Sequence, residues 1–555
     1  MNIKDLFKYT PTEKYNFTIS ANATDSRLPL EEQTIENIFP NIDKNLNHIK
    51  SVYNTLINSD IIIRDFNINC KNIQYKAFIV YIDGMVNTNS INHFILNPLM
   101  LRNTNNTFNG SIVKKITFKD SNDELSIKKI KNIDLINYIY NSLIPENSIE
   151  KSNKFDKIIS GINSGDCALF VDSIDTAFNI DVKGFKQRGI NPPNNEVVIK
   201  GPQESFVENI RTNTSLLRRI TNNENLVIEN LKVGKLSKTT CAVCYMKNIA
   251  NNNLVAEVKY RMNNLDVDTI ISTGQLEQLI EDNEKIDIPQ MLSSERPDRC
   301  AKALMQGRVV ILVNGNPYAL VAPAIFKDFL TSAEDTNLKV LFSNFLKFLR
   351  FIALFLTLLL PGIYVSVTGF HQEILPTELL FSILAARQNV PFPIIVELLI
   401  MEVSFELIRE GGLRVPSPIG STMGIIGALI LGDAAVNANI VSPILIIIVA
   451  ITGLSSFTIP DFYFEFHARI YRFIFILLGY IAGFLGIGLG IVIYVVLLCN
   501  VRSFGIPFIS SFESNNDSNK YFLNPVWKQE YRNKTFAPKI ERQQENISKR
   551  WKFKK

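Results

Sequence analysis

The chain has 555 residues, of which 46% are hydrophobic and 20% charged, and carries a formal net charge of +5. That length leaves room for two or three domains. So small a charge, much of it gathered in the C-terminal tail, excludes the global positive field of a nucleic-acid-binding protein.

The average composition mixes two unlike parts. Before about Leu338 the chain is rich in Asn, Lys, Ile and Asp; after it, in Ile, Leu, Phe and Gly. Six cysteines in no even-spaced framework point to a reducing compartment, and Met1 to Asn16 lacks the apolar core of a secretory signal. Residues 1–60 are polar and Asn-rich, with one helix predicted over Glu31 to Ile62. Strands are predicted at Ile61 to Ile68, at Tyr75 to Val86 (closed by the turn signal Ile82-Asp83-Gly84) and at His93 to Leu101. Ile133 to Leu143 has helical spacing. Short strands follow at Cys167 to Asp172 and Glu196 to Ile199, the latter stopped by Gly201-Pro202. From Glu204 to Ile220 the pattern is helical. Leu231 to Met246 reads as a strand, Leu254 to Met262 and Leu276 to Ile280 as helices. Arg308 to Val313 reaches the turn Asn314-Gly315-Asn316-Pro317 and returns through Ala319 to Val321 as a hairpin. The expected fold class is therefore an α/β (or α+β) region of two subdomains, 61–203 and 204–335, followed by an all-α transmembrane bundle over 340–505 and a basic tail over 506–555.

The membrane expectation rests on apolar blocks at Phe351 to Val367, Ile419 to Gly432, Ile440 to Ile459 and Phe473 to Cys499. A helix needs about 20 apolar residues to cross a bilayer, and the last block meets that length without a charge. Lys347 and Arg350 before the first block, and the basic tail after the last, place both ends on the cytoplasmic side. Parity then gives four crossings, with Pro376 to Glu410 amphipathic or re-entrant; were that segment itself to cross, the count would be five and the tail outside, against its charge. Arg469 and Arg472 fit the count of four poorly, because they prefer a cytoplasmic loop.

Pro376 to Glu410 is the most informative stretch. It holds Glu378, Arg387, Glu397, Glu402, Glu406, Arg409 and Glu410 amid Leu, Ile and Phe, and Pro391 and Pro393 divide it. Glu402, Glu406 and Arg409 share one narrow helical face. Intramembrane carboxylates are costly and face a bundle interior or water. Three readings stay open: an acidic pore or vestibule favouring cations, an interfacial helix, and ion pairs in a core. Gly420, Gly424, Ala428 and Gly432, each four apart, form a small-residue stripe suited to close helix packing within the chain or between subunits. Gly479/Gly483 and Gly486/Gly490 repeat it. Cys241-x-x-Cys244 lacks a second pair or a nearby histidine and reads as two core residues. No nucleophile elbow, phosphate loop or metal-ligand spacing appears, so no enzyme, cofactor or metal is expected.

Several motifs resemble the A-subunit family of bacterial spore germinant receptors, the GerA type. They are Gly201-Pro202-Gln203-Glu204-Ser205-Phe206 with Leu216-Leu217-Arg218-Arg219; Lys232-Val233-Gly234; Glu295-Arg296-Pro297-Asp298-Arg299 leading to Gln306-Gly307-Arg308; Pro361-Gly362; Val390-Pro391-Phe392-Pro393 with Glu397, Glu402, Glu406 and Arg409; Pro418-Ile419-Gly420; and Ser503-Phe504-Gly505-Ile506-Pro507. They keep their order over roughly residues 160–510. The resemblance implies a multi-pass subunit of the spore inner membrane. Its partners would be a transporter-like B subunit that binds the germinant and a lipoprotein C subunit. It also implies self-association as a pentamer into a ligand-gated cation channel. On that expectation Glu397, Glu402 and Glu406 shape the pore or its entrance, and Arg409 holds a carboxylate. Arg296, Asp298 and Arg299 form the junction that feeds the membrane part. A non-conducting scaffold for the same receptor and a transporter component are the alternatives; no repeat among the apolar blocks supports the latter. The tail's basic run is a candidate contact with anionic lipid.

Overall fold

The computed structural model describes residues 37–70, 73–100, 132–184, 193, 195–414, 432–510, 521–526 and 529–544. The first layered unit is a five-stranded sheet in the order β1-β2-β4-β5-β3, made of β1 (Ile61–Cys70), β2 (Ile73–Ile82), β3 (Ile149–Ser152), β4 (Cys167–Val171) and β5 (Ala177–Ile180). Helices α1 (Ile42–Tyr53) and α2 (Phe155–Ser164) cover one face, and helical segments at 88–100 and 132–143 cover the other. With both faces covered, β4 is buried at every position, which is why it reads as an unbroken apolar run. Asn41 starts α1 by accepting the amides of Asp43 and Lys44 at 2.9 and 3.3 Å.

The second unit repeats the plan in the order β6-β7-β9-β10-β8: β6 (Leu226–Val233), β7 (Thr239–Met246), β8 (Leu292–Ser294), β9 (Val309–Val313) and β10 (Ala319–Ala322). Helices α4 (Asn252–Asn263) and α5 (Thr273–Ile280) lie on one face. On the other lie α3 (Ile210–Thr221) and α6 (Pro297–Met305). Every pairing in both sheets is antiparallel. Of the two expected classes the region is thus α+β. The two units are joined by a buried polar cluster. Arg218 of α3 donates to both carboxylate oxygens of Asp60, at 2.8 and 2.9 Å, and to Asn58. Asn58 in turn accepts the Ile228 amide at 2.9 Å.

Three local expectations are corrected. The described part of His93 to Leu101, residues 93–100, is helical, because Ile91, Ile95 and Leu99 repeat every four residues and bury against the first sheet. Leu231 to Met246 is not one strand: the chain reverses at Gly234 (φ 88°) and Lys238 (φ 45°), so that β6 and β7 pair. Glu196 to Ile199 forms no strand; it is held by the side chains of Glu295 and Arg296.

Between residues 340 and 500 the described chain is mainly helical: α7 (Val340–Gly369), α8 (Thr377–Arg387), α9 (Ile394–Arg414), α10 (Pro443–Phe457) and α11 (Phe462–Asn500). By length and apolarity α7 and α11 are able to cross a membrane. The expected uninterrupted block Phe473 to Cys499 is corrected, however. Ala482 and Gly483 leave helical geometry, with Gly483 at φ 57°. Tyr494 Oη and His467 Nε2, 27 residues apart, meet at 3.3 Å, whereas a straight helix would separate them by about 40 Å. α11 is therefore a hairpin of two antiparallel arms, 462–481 and 484–500. Its tip lies beside Phe370 and His371 at the far end of α7. A Cβ on Gly479 would stand 2.6 Å from the Gly362 carbonyl, and one on Gly490 would stand 2.7 Å from Leu478. The described glycines of this stripe thus serve packing within the chain. Gly432 approaches Ile446, while Gly420, Gly424 and Ala428 lie outside the described residues.

The base of α7 and both ends of the hairpin return to the second sheet unit. Phe464 packs on Phe326 and Phe329 with ring centroids 5.7 and 5.8 Å apart, and Phe508 closes on Phe329 at 5.6 Å. The described part of the basic tail docks on the same unit. Phe536 is fully buried, Arg308 lies 4.0 Å over its ring, and Arg532 donates to the Met305 carbonyl at 2.7 Å.

Candidate functional site

The sequence of α9 sets three charges one helical turn apart on one face, and the hairpin's first arm answers with three more. Arg472 Nη2 lies 3.0 Å from Glu402 Oε2 and donates to Glu406 Oε1 at 2.7 Å. Arg469 donates to the other Glu406 oxygen at 2.7 Å. Arg409 lies 3.1 Å from Glu465, donates to Ser456 of α10 at 2.6 Å and stacks 4.1 Å over Phe457. Three acids thus meet three arginines. Glu402 is 0% and Arg472 1% exposed, while Glu406 keeps a quarter of its side chain open. A cleft of about 370 Å³ lies on that open side, lined by Val403, Glu406, Leu407, Phe466, Arg469 and Ile470. One turn-set away, fully buried Glu397 accepts the Ser442 amide at 2.5 Å and sits 3.5 Å from Arg387. Glu397 meeting the start of α10 and Arg409 meeting its end make α9 and α10 parallel.

Charges buried among apolar helices are expensive unless each has its partner. The network therefore holds α9 against the hairpin in one register, and any rearrangement must break or exchange these pairs together.

The junction is built differently. Arg296 is fully buried at the start of α6. It clamps Asp298 with two bonds of 3.0 and 3.1 Å and donates to the carbonyls of Glu196 and Pro202. Arg299 bonds the Glu196 carboxylate and the carbonyls of Asp328 and Thr331. Arg308 takes the Asp328 carboxylate at 2.7 and 3.1 Å. Arg350 of α7 then bonds Asp335 at 2.6 Å. Asp461, the cap of α11, accepts the Phe464 amide at 2.9 Å. Burial pushes its carboxyl up to about 6 against the pull of Arg299. Glu277 on α5 is pushed up to about 8, by burial first and then by Glu281 and Asp461. The arginine junction and the start of α11 share one electrostatic neighbourhood. Among the described residues no group of three or more His, Cys, Asp or Glu is placed to hold a metal. Cys241 and Cys244 fall in the cores on opposite faces of the second sheet.

A family described as Bacillus/Clostridium GerA spore germination protein matches residues 47–535. The chain belongs to the GerA spore germination family. Spore germination protein KA of Bacillus subtilis is 37% identical over 498 residues, 89% of this chain and 86% of that protein. The uncharacterized membrane protein YfkQ of the same organism is 34% identical over 517 residues, 92% of this chain and 94% of that one. The solved N-terminal domain of the A subunit of the Bacillus megaterium germinant receptor GerK3 aligns at 30% identity over 53% of this chain and 99% of its own. Its TM-score is 0.38, too low to add to the assignment.

In this GerA-family chain the structure gathers Glu402, Glu406 and Arg409 into one cluster and sets Glu397 apart, at the head of α10. Arg296, Asp298 and Arg299 come together at the head of α6. Arg469, Arg472 and Glu465 belong to the cluster and were not among the sequence candidates. Their signal was present in the poor fit of Arg469 and Arg472 to the expected topology. Two arginines inside an apolar stretch call for two carboxylates, and α9 offers them.

Proposed function

We propose that this chain is the A subunit of a spore germinant receptor, a multi-pass protein of the spore inner membrane that self-associates into a ligand-gated cation channel. Family membership supports the germination role, and α7 and the hairpin support the membrane location. Closure of a transporter-like B subunit on a nutrient, with a lipoprotein C subunit in the complex, would shift the channel toward open. The soluble region, taken as subdomains 61–203 and 204–335, and the tail would face the cytoplasm, in keeping with Lys347 and Arg350 at the base of α7. The cleft beside Glu406 is the surface for a neighbouring subunit, with Gly420, Gly424 and Ala428 as further candidates, a pentamer being the expected ring.

The observation that carries the gating reading is the six-charge network between α9 and the hairpin. In the closed state Glu402 and Glu406 are neutralised by Arg469 and Arg472. Opening swings the Glu402–Glu406 stretch of α9 away from the hairpin about the Arg409–Glu465 pair as pivot, so that Glu397, Glu402 and Glu406 turn to the conduction path. Arg296, Asp298 and Arg299 couple the soluble region to this movement. The test is cation flux through liposomes holding the assembled receptor with its germinant. Current that falls on Glu402→Gln with Glu406→Gln is expected. A silent bilayer from folded, complete receptor rejects conduction. The same pairing of every cluster carboxylate favours the second reading, a non-conducting scaffold that transmits the B-subunit signal.

A further inference from the structure

A second cavity lies at the root of α7, between α6, the segment 327–336 and the docked C-terminal residues 522–526 and 529–543. It holds about 170 Å³, below the ~300–1,000 Å³ usual for drug-sized ligands. Among the described residues five basic side chains line it, Arg299, Lys302, Arg308, Lys327 and Lys347, against two acids, Asp298 and Asp328. Both acids are already taken: Asp298 by Arg296 and Asp328 by Arg308. Nearby Asp335 is held by Arg350. Lys347 is 2% exposed, and among the described residues its ammonium meets only the carbonyl of Tyr521, at 3.3 Å, and that residue's ring. An ammonium offers three donors, and burying it without a carboxylate is costly. Among the described residues Lys302 makes no hydrogen bond or ion pair. The Lys327 ammonium is pushed down to about 8, by burial first, with Arg308, Lys347 and Lys302 adding to it and Asp328 opposing.

We propose that this cavity is a binding site for a small phosphate-bearing anion, held by Lys302, Lys327 and Lys347, which fastens α7 and the C-terminal segment to α6. An anion with several oxygens matches the excess positive charge of the described lining and the unused donors of Lys302 and Lys347. The size excludes a nucleotide-sized ligand and admits a free phosphate or a lipid headgroup phosphate. The site stands independently of the channel reading, since it concerns binding at the cytoplasmic-side junction and not conduction.

The test uses full-length protein, extracted in detergent and delipidated, in thermal unfolding. Phosphate is titrated at constant ionic strength against chloride. A parallel series places the protein in vesicles of phosphatidylglycerol or of phosphatidylcholine alone. A saturable rise of the midpoint with phosphate and not chloride is expected, marking a free anion. A rise confined to phosphatidylglycerol vesicles marks a headgroup and equally supports the site. Lys302→Gln, at the exposed mouth, should bind about ten- to a hundredfold more weakly, as the loss of one charged hydrogen bond implies. Lys347→Met should raise the midpoint of the anion-free protein and abolish the response. Equal effects of phosphate and chloride with no lipid preference would overturn the proposal, as would an undiminished response in both variants.

Discussion

The charge network predicts an asymmetry between its two innermost members. Arg472→Met removes the one guanidinium within 4 Å of Glu402 among the described residues, leaving a fully buried carboxylate stranded. Breaking a buried pair in this way costs about 3–5 kcal/mol. Glu402→Leu is milder, because Arg472 keeps Glu406 at 2.7 Å. Combining the two replaces the inner pair by apolar groups, and Glu406 still holds Arg469 at 2.7 Å. The double variant should therefore recover much of what Arg472→Met loses, with a coupling of about 1–3 kcal/mol. The assay is thermal unfolding of the purified full-length protein for all four members of the cycle. The expected order of midpoints is wild type, then Glu402→Leu and the double variant, then Arg472→Met. Additive losses, or a Glu402→Leu loss as large as that of Arg472→Met, would refute the claim that pairing holds α9 to the hairpin.

Two further outcomes separate packing and charge elsewhere. Gly479→Ala pushes a methyl to 2.6 Å from the Gly362 carbonyl and 2.8 Å from Ser366 Oγ, which should cost about 1–3 kcal/mol by overpacking. Gly488→Ala meets nothing within 4 Å and should gain up to about 1 kcal/mol of helix propensity; equal unfolding midpoints for the two would rule out close helix approach at Gly479. Asp461 has a folded value near 6 against an ordinary 3.8, so its charged form is the disfavoured one in the fold. The penalty, about 3 kcal/mol, is fully present above pH 6 and is relieved as the pH falls from about 6 toward 4. Asp461→Asn retains a capping oxygen and should be the more stable protein at pH 7.5, with its advantage shrinking toward pH 4.5. An advantage that does not change with pH would contradict this.

Much of the two-sheet region was legible because its signals are local. The hairpin of β9 and β10 follows from Asn314-Gly315-Asn316-Pro317, and the division of the acidic stretch into α8 and α9 follows from Pro391 and Pro393. The failures share a cause, which is that the deciding contact lay outside the window being read. The helical repeat over 91–99 begins at Ile91, two residues before the run taken as a strand. The reversal at Gly234 was masked by apolar residues on both sides. The hairpin tip at Ala482-Gly483 carries no charge and no proline, so composition alone continues the helix through it. In the cluster, one helical face was readable from spacing, but the partner face lies some 60 residues away, and only pairing reveals it.

The site and the junction also bear on one another. The amide of Glu465 bonds the carbonyl of Asp461 at 2.9 Å, and Glu465 bonds Arg409 one turn into the arm. Asp461 lies within the field of Arg299, whose own bonds reach Glu196 and the turn at Asp328. A shift of α6 would thus be felt at the first turn of α11 before it reached Glu406. Contacts alone do not make a relay; an element with two discrete arrangements does. Between α9 and the hairpin the structure holds one arrangement with alternative partners at hand: Glu406 bridges two arginines, and Arg409 faces both Glu406, at 3.9 Å, and Glu465. Exchange of partners within that set changes the register of α9 without leaving any charge unpaired. Of the possible rearrangements it is the one that low-dielectric surroundings penalise least.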